Sequence, residues 1–130
     1  REELVRLANA YKLKGISFIA ISSNDVENHP QDAPELMREI AQEFNFPFPY
    51  LYDETQEVAK AYQAECTPDF MVFDSELKCV YRGRLDDSTP GNGIPVSGSD
   101  LRKVLNDILA GNKLSGEQFP SMGCNIKWKS

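Results

Sequence analysis

A seven-residue run, ISFIAIS at residues 16–22, constrains the fold of this chain more than any other feature. It is apolar at nearly every position, which is typical of an inner strand covered on both faces of a sheet. An inner strand needs a neighbour on each side. The only other strand-forming sequence is a hairpin at residues 70–85, which supplies one of the two. The run therefore predicts an α/β fold whose remaining strand lies upstream of residue 1.

The first helix also indicates that part of the fold lies upstream of residue 1. Residues 1–15, REELVRLANAYKLKG, place Leu4, Ala8 and Tyr11 on one face, and Gly15 supplies an end signal. No capping residue precedes them. A helix with an end signal and no start signal predicts that its beginning also lies upstream.

Capping residues and prolines predict where the next elements of the chain begin and end. Asp32 with Glu35 predicts a capping box at a second helix, and Asp53 with Gln56 predicts a cap for a short third helix. The stretch FPFPY at residues 46–50 has alternate prolines and predicts an extended connector.

The C-terminal half begins with the hairpin. FMVF at residues 70–73 and LKCVYRGRL at residues 77–85 predict its two strands, with a turn between them. Ser99 is expected to cap a last helix that stops at Gly111. Residues 112–130 form an irregular tail, expected to pack back through its large apolar side chains: Phe119, Met122, Ile126 and Trp128. We expect one domain over residues 1–130.

Composition excludes several function classes. The net charge of −6 and the pI near 4.8 argue against a nucleic-acid surface, and no run reaches the roughly 18 apolar residues that a membrane span needs. Three cysteines and a single histidine, His29, are too widely spaced to predict a metal site. Three cysteines cannot all pair within one chain, so at least one is free or joins another molecule, and unpaired thiols favour a reducing, cytoplasmic compartment.

Five strings in order carry a resemblance over nearly the whole chain: FIAISSNDVENHPQDAPE, FPFPYLYDETQEVAKAY, ECTPDFMVFD, YRGRLDDSTPGNGIPVSGSDLR and SMGCNIKW. They resemble the peroxiredoxin-like branch of the thioredoxin superfamily, which is related to the thiol peroxidases and to TlpA-type disulfide reductases. The resemblance implies a thioredoxin-like fold, with a central mixed sheet flanked by helices. It also implies that the central strand and the reactive-cysteine motif precede residue 1.

The same resemblance implies a site at Thr67-Pro68. In thioredoxin-like proteins, the residue before a cis proline faces the reactive cysteine and offers its backbone to an extended substrate. Thr67 and Pro68 match these positions, so we expect a cis bond between them and a substrate-binding role for both.

The three thiols have different expected roles. Cys66 fits either a small buried side chain at the start of a strand or a thiol near the reactive cysteine that resolves it. The neighbouring charges of Glu65 and Asp69 disfavour Cys66 as the attacking thiolate. Cys124, in the tail, is a candidate resolving thiol that Lys127 and Lys129 would favour if they lie close. Cys79 is expected to be buried.

The expected function is that of a thiol–disulfide oxidoreductase or thiol peroxidase of peroxiredoxin-like type, with its nucleophilic cysteine upstream of residue 1. Electrons would come from a dithiol protein, the substrate would be a disulfide or a peroxide, and no metal or organic cofactor is implied. The alternative is a non-catalytic thioredoxin-like module that binds peptides. An open sheet edge also makes a homodimer physically reasonable.

Overall fold

The computed structural model describes residues 2–89, 92–114, 118–121 and 124–129. Contacts divide the chain into two compact units, the first formed by Arg1–Glu65 with Asn125–Ser130 and the second by Cys66–Cys124. The helices and strands are α1 (Glu2–Lys12), β1 (Ala20–Ser22), α2 (Pro34–Glu43), β2 (Tyr50–Tyr52), α3 (Glu57–Ala61), β3 (Cys66–Thr67), β4 (Phe70–Phe73), β5 (Cys79–Gly83), α4 (Ser99–Leu109) and β6 (Cys124–Asn125).

The first unit contains a parallel ladder in which Ala20 of β1 lies opposite Tyr50 of β2. The β2 strand was not predicted, because the prolines of FPFPY marked this stretch as a connector and the strand begins directly after Pro49. The core of this unit includes the buried face of α1 and a side chain from the C-terminal residues; its members are Leu7, Ala8, Tyr11, Met37, Ala59 and Ile126.

The sequence predicted that both faces of the ISFIAIS strand are covered. This prediction is wrong within the residues that the structure describes. Only Ala20–Ser22 form a strand, and the side chains of Ile19 and Ile21 are 63% and 44% exposed. Among the described strands, β1 has β2 as its ladder partner and no second neighbour. The described strands form two-stranded ladders, so one continuous central sheet is not formed within these residues.

Two predicted helix caps are also wrong. Ala33 precedes α2 without a side-chain cap, and Pro34 begins the helix because its missing N–H needs no partner there. Asp32 belongs to a 3-10 turn and accepts a hydrogen bond from Asn24 instead. Gly98, in the left-handed conformation, precedes α4, and Ser99 is already helical.

The second unit is built on the predicted hairpin. Phe70 and Val72 of β4 lie opposite Gly83 and Tyr81 of β5, and the Asp74 carboxylate accepts the turn N–H groups of Glu76 and Lys78. On its core side, Tyr81 is buried, as are the α4 side chains Leu101, Val104 and Leu105. The stop at Gly111 is confirmed by its φ of +74°.

Cys79 is exposed, so the predicted burial of its side chain is wrong. The ladder register shifts between Val72 and Phe73, with Tyr81 and Cys79 as their respective partners. Val80 is therefore the extra residue of a β-bulge in β5. Because the bulge interrupts the alternation of side chains along the strand, those of Tyr81 and Cys79 no longer share a face.

The tail packs back only in part. The Ile126 side chain is buried, whereas Phe119 and Trp128 are 40% and 42% exposed. Met122 lies outside the described residues. The Trp128 ring lies 5.8 Å from the Lys60 ammonium, so it forms a surface cation–π contact rather than a core anchor.

Candidate functional site

The predicted site lies where β3 ends and β4 begins. The Thr67–Pro68 peptide bond is cis, as the resemblance implies. Proline has no N–H to donate to a ladder, and the break between the two strands falls at this residue. Thr67 and Cys66 therefore stand on a two-residue strand of their own.

Thr67 lies beside Cys124. Strand β3 pairs with β6, and the Thr67 hydroxyl donates a hydrogen bond to the Cys124 carbonyl oxygen at 3.4 Å. The Cys124 thiol is free and its side chain is exposed. The structure thus brings two predicted site residues together, although the sequence placed Cys124 in an irregular tail.

Cys66 is a free, half-buried thiol. Its sulfur donates a hydrogen bond to the Ser121 carbonyl oxygen at 3.8 Å. A carbonyl oxygen can only accept, so the thiol is the donor and this contact fixes the direction of its S–H bond.

The Asp69 carboxylate, directly after Pro68 in the chain, binds groups other than the Cys66 thiol. Its carboxylate accepts a hydrogen bond from the Ser121 hydroxyl at 2.9 Å and lies 3.4 Å from the Arg82 guanidinium. Its side chain is only 10% exposed. The sequence suggested Asp69 only as a negative neighbour of Cys66, because Arg82 and Ser121 are distant along the chain.

A segment that we call the C-terminal strap, Gln118–Ser121, runs beside β5. The Gln118 side-chain amide accepts from the Arg82 N–H at 3.3 Å and donates to the Val80 carbonyl at 3.1 Å. It therefore occupies the ladder positions that another strand would fill. Sequence reasoning missed this contact, since a single glutamine carries no pattern.

Gly83 permits the close approach of the strap. A Cβ atom at this position would collide with the Phe119 carbonyl oxygen, which accepts the Arg84 N–H at 3.0 Å. The Ser121 hydroxyl also lies 2.9 Å from the Gly83 carbonyl. The isolated glycine in YRGRL was the available signal, because glycine inside a strand often marks a close backbone approach.

The arginines near the hairpin are paired rather than open to a ligand. Arg84 binds Asp100 at 2.6 Å, and its guanidinium carbon lies 4.3 Å from the centre of the Phe119 ring. The hydrogen bond that Arg84 donates to the Asp100 carboxylate raises the pKa of Arg84. Burial, followed by the charge of Asp100, raises the pKa of Tyr81. The Tyr81 hydroxyl donates to the Arg84 carbonyl, so this cluster is structural.

A second polar cluster lies in the first unit. The Asp53 carboxylate accepts from the Ser23 hydroxyl at 2.7 Å and from the N–H groups of Val58 and Ala59. Burial alone would raise the pKa of Asp53, but these hydrogen bonds together lower it. Asp53 therefore satisfies N–H groups in the first turn of α3, as predicted, whereas Gln56 is itself the residue that precedes the helix and its side chain binds the Ser23 and Lys127 carbonyls instead of completing the cap.

The Asp25 carboxylate, in the loop after β1, also has hydrogen-bond partners close to it in the sequence. Asp25 accepts hydrogen bonds from the Glu27 N–H and the Asn28 side chain. Within the described ranges, no three Cys, His, Asp or Glu side chains converge as metal ligands. In the same ranges, no helix has the length and apolar character required to cross a bilayer.

Comparisons with known proteins agree with the resemblance. The family model described as Redoxin matches residues 2–105. A search of curated proteins gave no match.

Two solved structures are close relatives. The crystal structure of an uncharacterized conserved protein from Geobacillus kaustophilus is 62% identical with a TM-score of 0.96, covering 98% of this chain and 68% of that one. A hypothetical protein from Sinorhizobium meliloti 1021 is 43% identical with a TM-score of 0.97, covering 99% of this chain and 70% of that one. Both relatives thus have sequence without a counterpart in these 130 residues.

Proposed function

The chain belongs to the Redoxin family of the thioredoxin superfamily, which has a thioredoxin-like redox function at the family level, and from this premise we propose a thiol–disulfide oxidoreductase or thiol peroxidase. The nucleophile in this proposal is a cysteine upstream of residue 1. Its thiolate attacks either a disulfide sulfur, giving a mixed disulfide, or a peroxide oxygen, giving a sulfenic acid and releasing water or an alcohol. A dithiol protein returns the enzyme to its reduced form.

The observation that carries this proposal is the arrangement at β3. Thr67 is the last residue of a short strand that ends directly before Pro68, with the half-buried thiol of Cys66 beside it. Backbone groups on such a strand suit an extended polypeptide, which pairs with them by β-type hydrogen bonds. We assign the substrate backbone to Thr67 and the adjacent contact surface to Pro68.

The roles of the other thiols follow from their surroundings. Cys66 neighbours this site and its thiol donates to the Ser121 carbonyl oxygen, so we assign it a neighbouring or resolving role. Cys124 lies beside Thr67 and is exposed, which suits a resolving thiol that condenses with a sulfenic acid and releases water. Three free thiols support a reducing compartment, and we propose the cytoplasm.

The upstream segment would also supply a strand. In the proposed complete fold, a strand preceding residue 1 pairs with the open side of β1 and completes a central mixed sheet. Support comes from the edge of β1 that has no ladder partner among the described strands and from the additional length of both relatives.

Activity assays on two forms of the protein test this proposal. One form includes sequence upstream of residue 1, and the other comprises residues 1–130. We expect the longer form to reduce insulin disulfides or consume peroxide in a thiol-dependent way. Replacement of its upstream cysteine with serine should lower the rate by at least about a hundredfold. The 130-residue form should remain at background.

Two other results would decide against the proposal. Equal activity in both forms would place the nucleophile among Cys66, Cys79 and Cys124. An inactive longer form that still binds an extended peptide would identify a non-catalytic binding module.

A further inference from the structure

A long connection in the second unit carries an asparagine that is followed directly by a glycine. It joins β5, which ends at Gly83, to α4, which begins at Ser99. Asn92 and Gly93 lie within it, and both are exposed. The side-chain amide of an asparagine can react with the backbone nitrogen of the next residue. Glycine obstructs this reaction least, because it has no Cβ atom.

The Asn92 side chain is already folded toward Gly93. Its carbonyl oxygen accepts the Ile94 N–H at 3.0 Å, which closes an Asx turn around the Gly93 peptide. Its amide nitrogen donates to the Asp87 carbonyl oxygen at 2.9 Å. Because both ends of the amide group are held, the group does not rotate away from the Gly93 nitrogen, which is the atom that must attack it.

We propose that Asn92 is a deamidation site whose reaction is accelerated by the fold of this loop. The Gly93 nitrogen loses its proton and attacks the side-chain carbonyl carbon of Asn92, forming a C–N bond. The bond from that carbon to the amide nitrogen breaks, and the nitrogen takes up the proton and leaves as ammonia. Water then opens the resulting succinimide ring at either of its carbonyl groups, giving aspartate or isoaspartate.

The Ile94 N–H contributes to the acceleration. Attack by the Gly93 nitrogen moves negative charge onto the Asn92 side-chain oxygen. The Ile94 N–H already points at that oxygen, so it stabilises the charge as it develops, as the donors of an oxyanion hole do. The site is also open. Apart from its chain neighbours, no heavy atom of the described residues lies within 4 Å of the position that a Cβ atom on Gly93 would occupy.

The isoaspartate product releases part of the loop. In isoaspartate, the former side-chain carbonyl becomes part of the main chain, and the former backbone carbonyl becomes a carboxylate. The Ile94 N–H therefore loses its Asx-turn acceptor, and the Asp87 carbonyl loses the N–H that Asn92 donated. Either product also adds one negative charge to a chain whose net charge is already −6.

Ageing of the 130-residue protein in mildly alkaline buffer tests the proposal. Peptide mass spectrometry should show aspartate and isoaspartate at Asn92. It should show little change at Asn112, an exposed asparagine that is followed by lysine. We expect Asn92 to react about five times faster in the folded protein than in a synthetic peptide of residues 86–98, which lacks the fixed turn. A rate in the protein equal to or below that in the peptide would overturn the proposal.

Variants of Ile94 examine the role of its N–H. Ile94→Pro removes the N–H and should lower the rate in the folded protein about fivefold, to that of the peptide. Ile94→Val keeps the N–H and is the matched control, which should react like the wild type. An Ile94→Pro protein that deamidates as fast as the wild type would contradict the acceleration by the fold.

The glycine gives an independent variant. Gly93→Ala places a Cβ atom beside the attacking nitrogen, at a φ of +75° that alanine disfavours. It should slow the reaction about tenfold in the protein, and the same change in the peptide shows how much of this loss is due to the Cβ atom alone. An undiminished rate in both would rule out attack by this nitrogen.

Hydrogen exchange in the purified isoaspartate form tests the release of the loop. Exchange at the Ile94 amide should become faster than in the unmodified protein, because its acceptor is lost. Exchange at the Gly98 amide should stay the same, since Asp86 still accepts that N–H at 2.7 Å. Equal exchange at Ile94 in the two forms would show that the Asx turn does not hold this part of the loop, and the inference would fail.

Discussion

Asp86 shows how one carboxylate organises a long loop at the scale of a residue. It accepts N–H groups from Ser88, Ser97 and Gly98 at 2.9, 2.8 and 2.7 Å, and its side chain is buried. Burial would raise the pKa of Asp86, but these hydrogen bonds lower it below its ordinary value. The charged form therefore stabilises the approach to α4, a role that the sequence assigned to Ser99.

We expect Asp86→Asn to lower the free energy of unfolding by about 1–3 kcal/mol at pH 7, because an amide brings N–H groups toward N–H donors. The lowered pKa means that the unfolded state binds more protons in mildly acidic solution. The contribution of Asp86 is thus present above its ordinary pKa of 3.8 and is lost as the pH falls through the lower folded value.

Urea unfolding at pH 7 and pH 3 measures this effect. The difference between wild type and Asp86→Asn should shrink at pH 3. Asp87→Asn alters the exposed neighbouring carboxylate and should change stability by less than about 0.5 kcal/mol. Equal destabilisation by Asp86→Asn at both pH values would contradict the assigned charge effect.

At the scale of elements, the Gln56 side chain connects the two chain segments that make up the first unit. Gln56 has a left-handed φ of +65° and is buried. Its side-chain nitrogen donates to the carbonyls of Ser23 and Lys127, and its oxygen accepts the Lys129 N–H at 3.0 Å. Its partners lie 33, 71 and 73 residues away in sequence.

We expect Gln56→Ala to lower the free energy of unfolding by about 2–4 kcal/mol, because it leaves backbone groups in the first unit without their partners. Hydrogen exchange at the Lys129 amide should also become faster. Chemical denaturation and exchange mass spectrometry measure the two effects. Gln42→Ala, at an exposed position of α2, is the matched control and should be nearly neutral. Unchanged exchange at Lys129 would argue against this anchoring role.

Elements with strong periodicity or turn chemistry were predictable from sequence. The apolar face of α1, the hairpin of β4 and β5, and the stop at Gly111 depend on residues close together in the chain. The caps were harder, because Asp86 acts on Gly98 from 12 residues away and displaces Ser99 from that role. In the site, Thr67 and Pro68 were identified through the resemblance. The Gln118 amide could not be, since its ladder partners are 36 and 38 residues away.

At the scale of the whole molecule, exposed apolar side chains suggest self-association of the 130-residue chain. Ile21 and Leu51 lie opposite each other in the β1–β2 ladder and are 44% and 49% exposed. With Val58 they line a shallow depression. We propose that two copies pair through β1, since an antiparallel pairing of the same edge is self-complementary.

Sedimentation velocity over an approximately hundredfold concentration range tests this proposal. We expect a concentration-dependent dimer that Ile21→Lys reduces to monomer by placing a charge in the apolar face. Leu13→Lys changes a more exposed leucine, on the residue after α1, and should leave the dimer intact. A monomer at every concentration would rule out pairing through β1.

The position of Ile126 has a consequence for synthesis on the ribosome. Its side chain is buried, and its N–H donates to the Glu65 carbonyl at 2.9 Å within the first unit. The residues of the second unit leave the ribosome before Ile126 does. The first unit, although translated earlier, therefore cannot complete its core until the second has emerged, so the order of folding need not follow the order of translation.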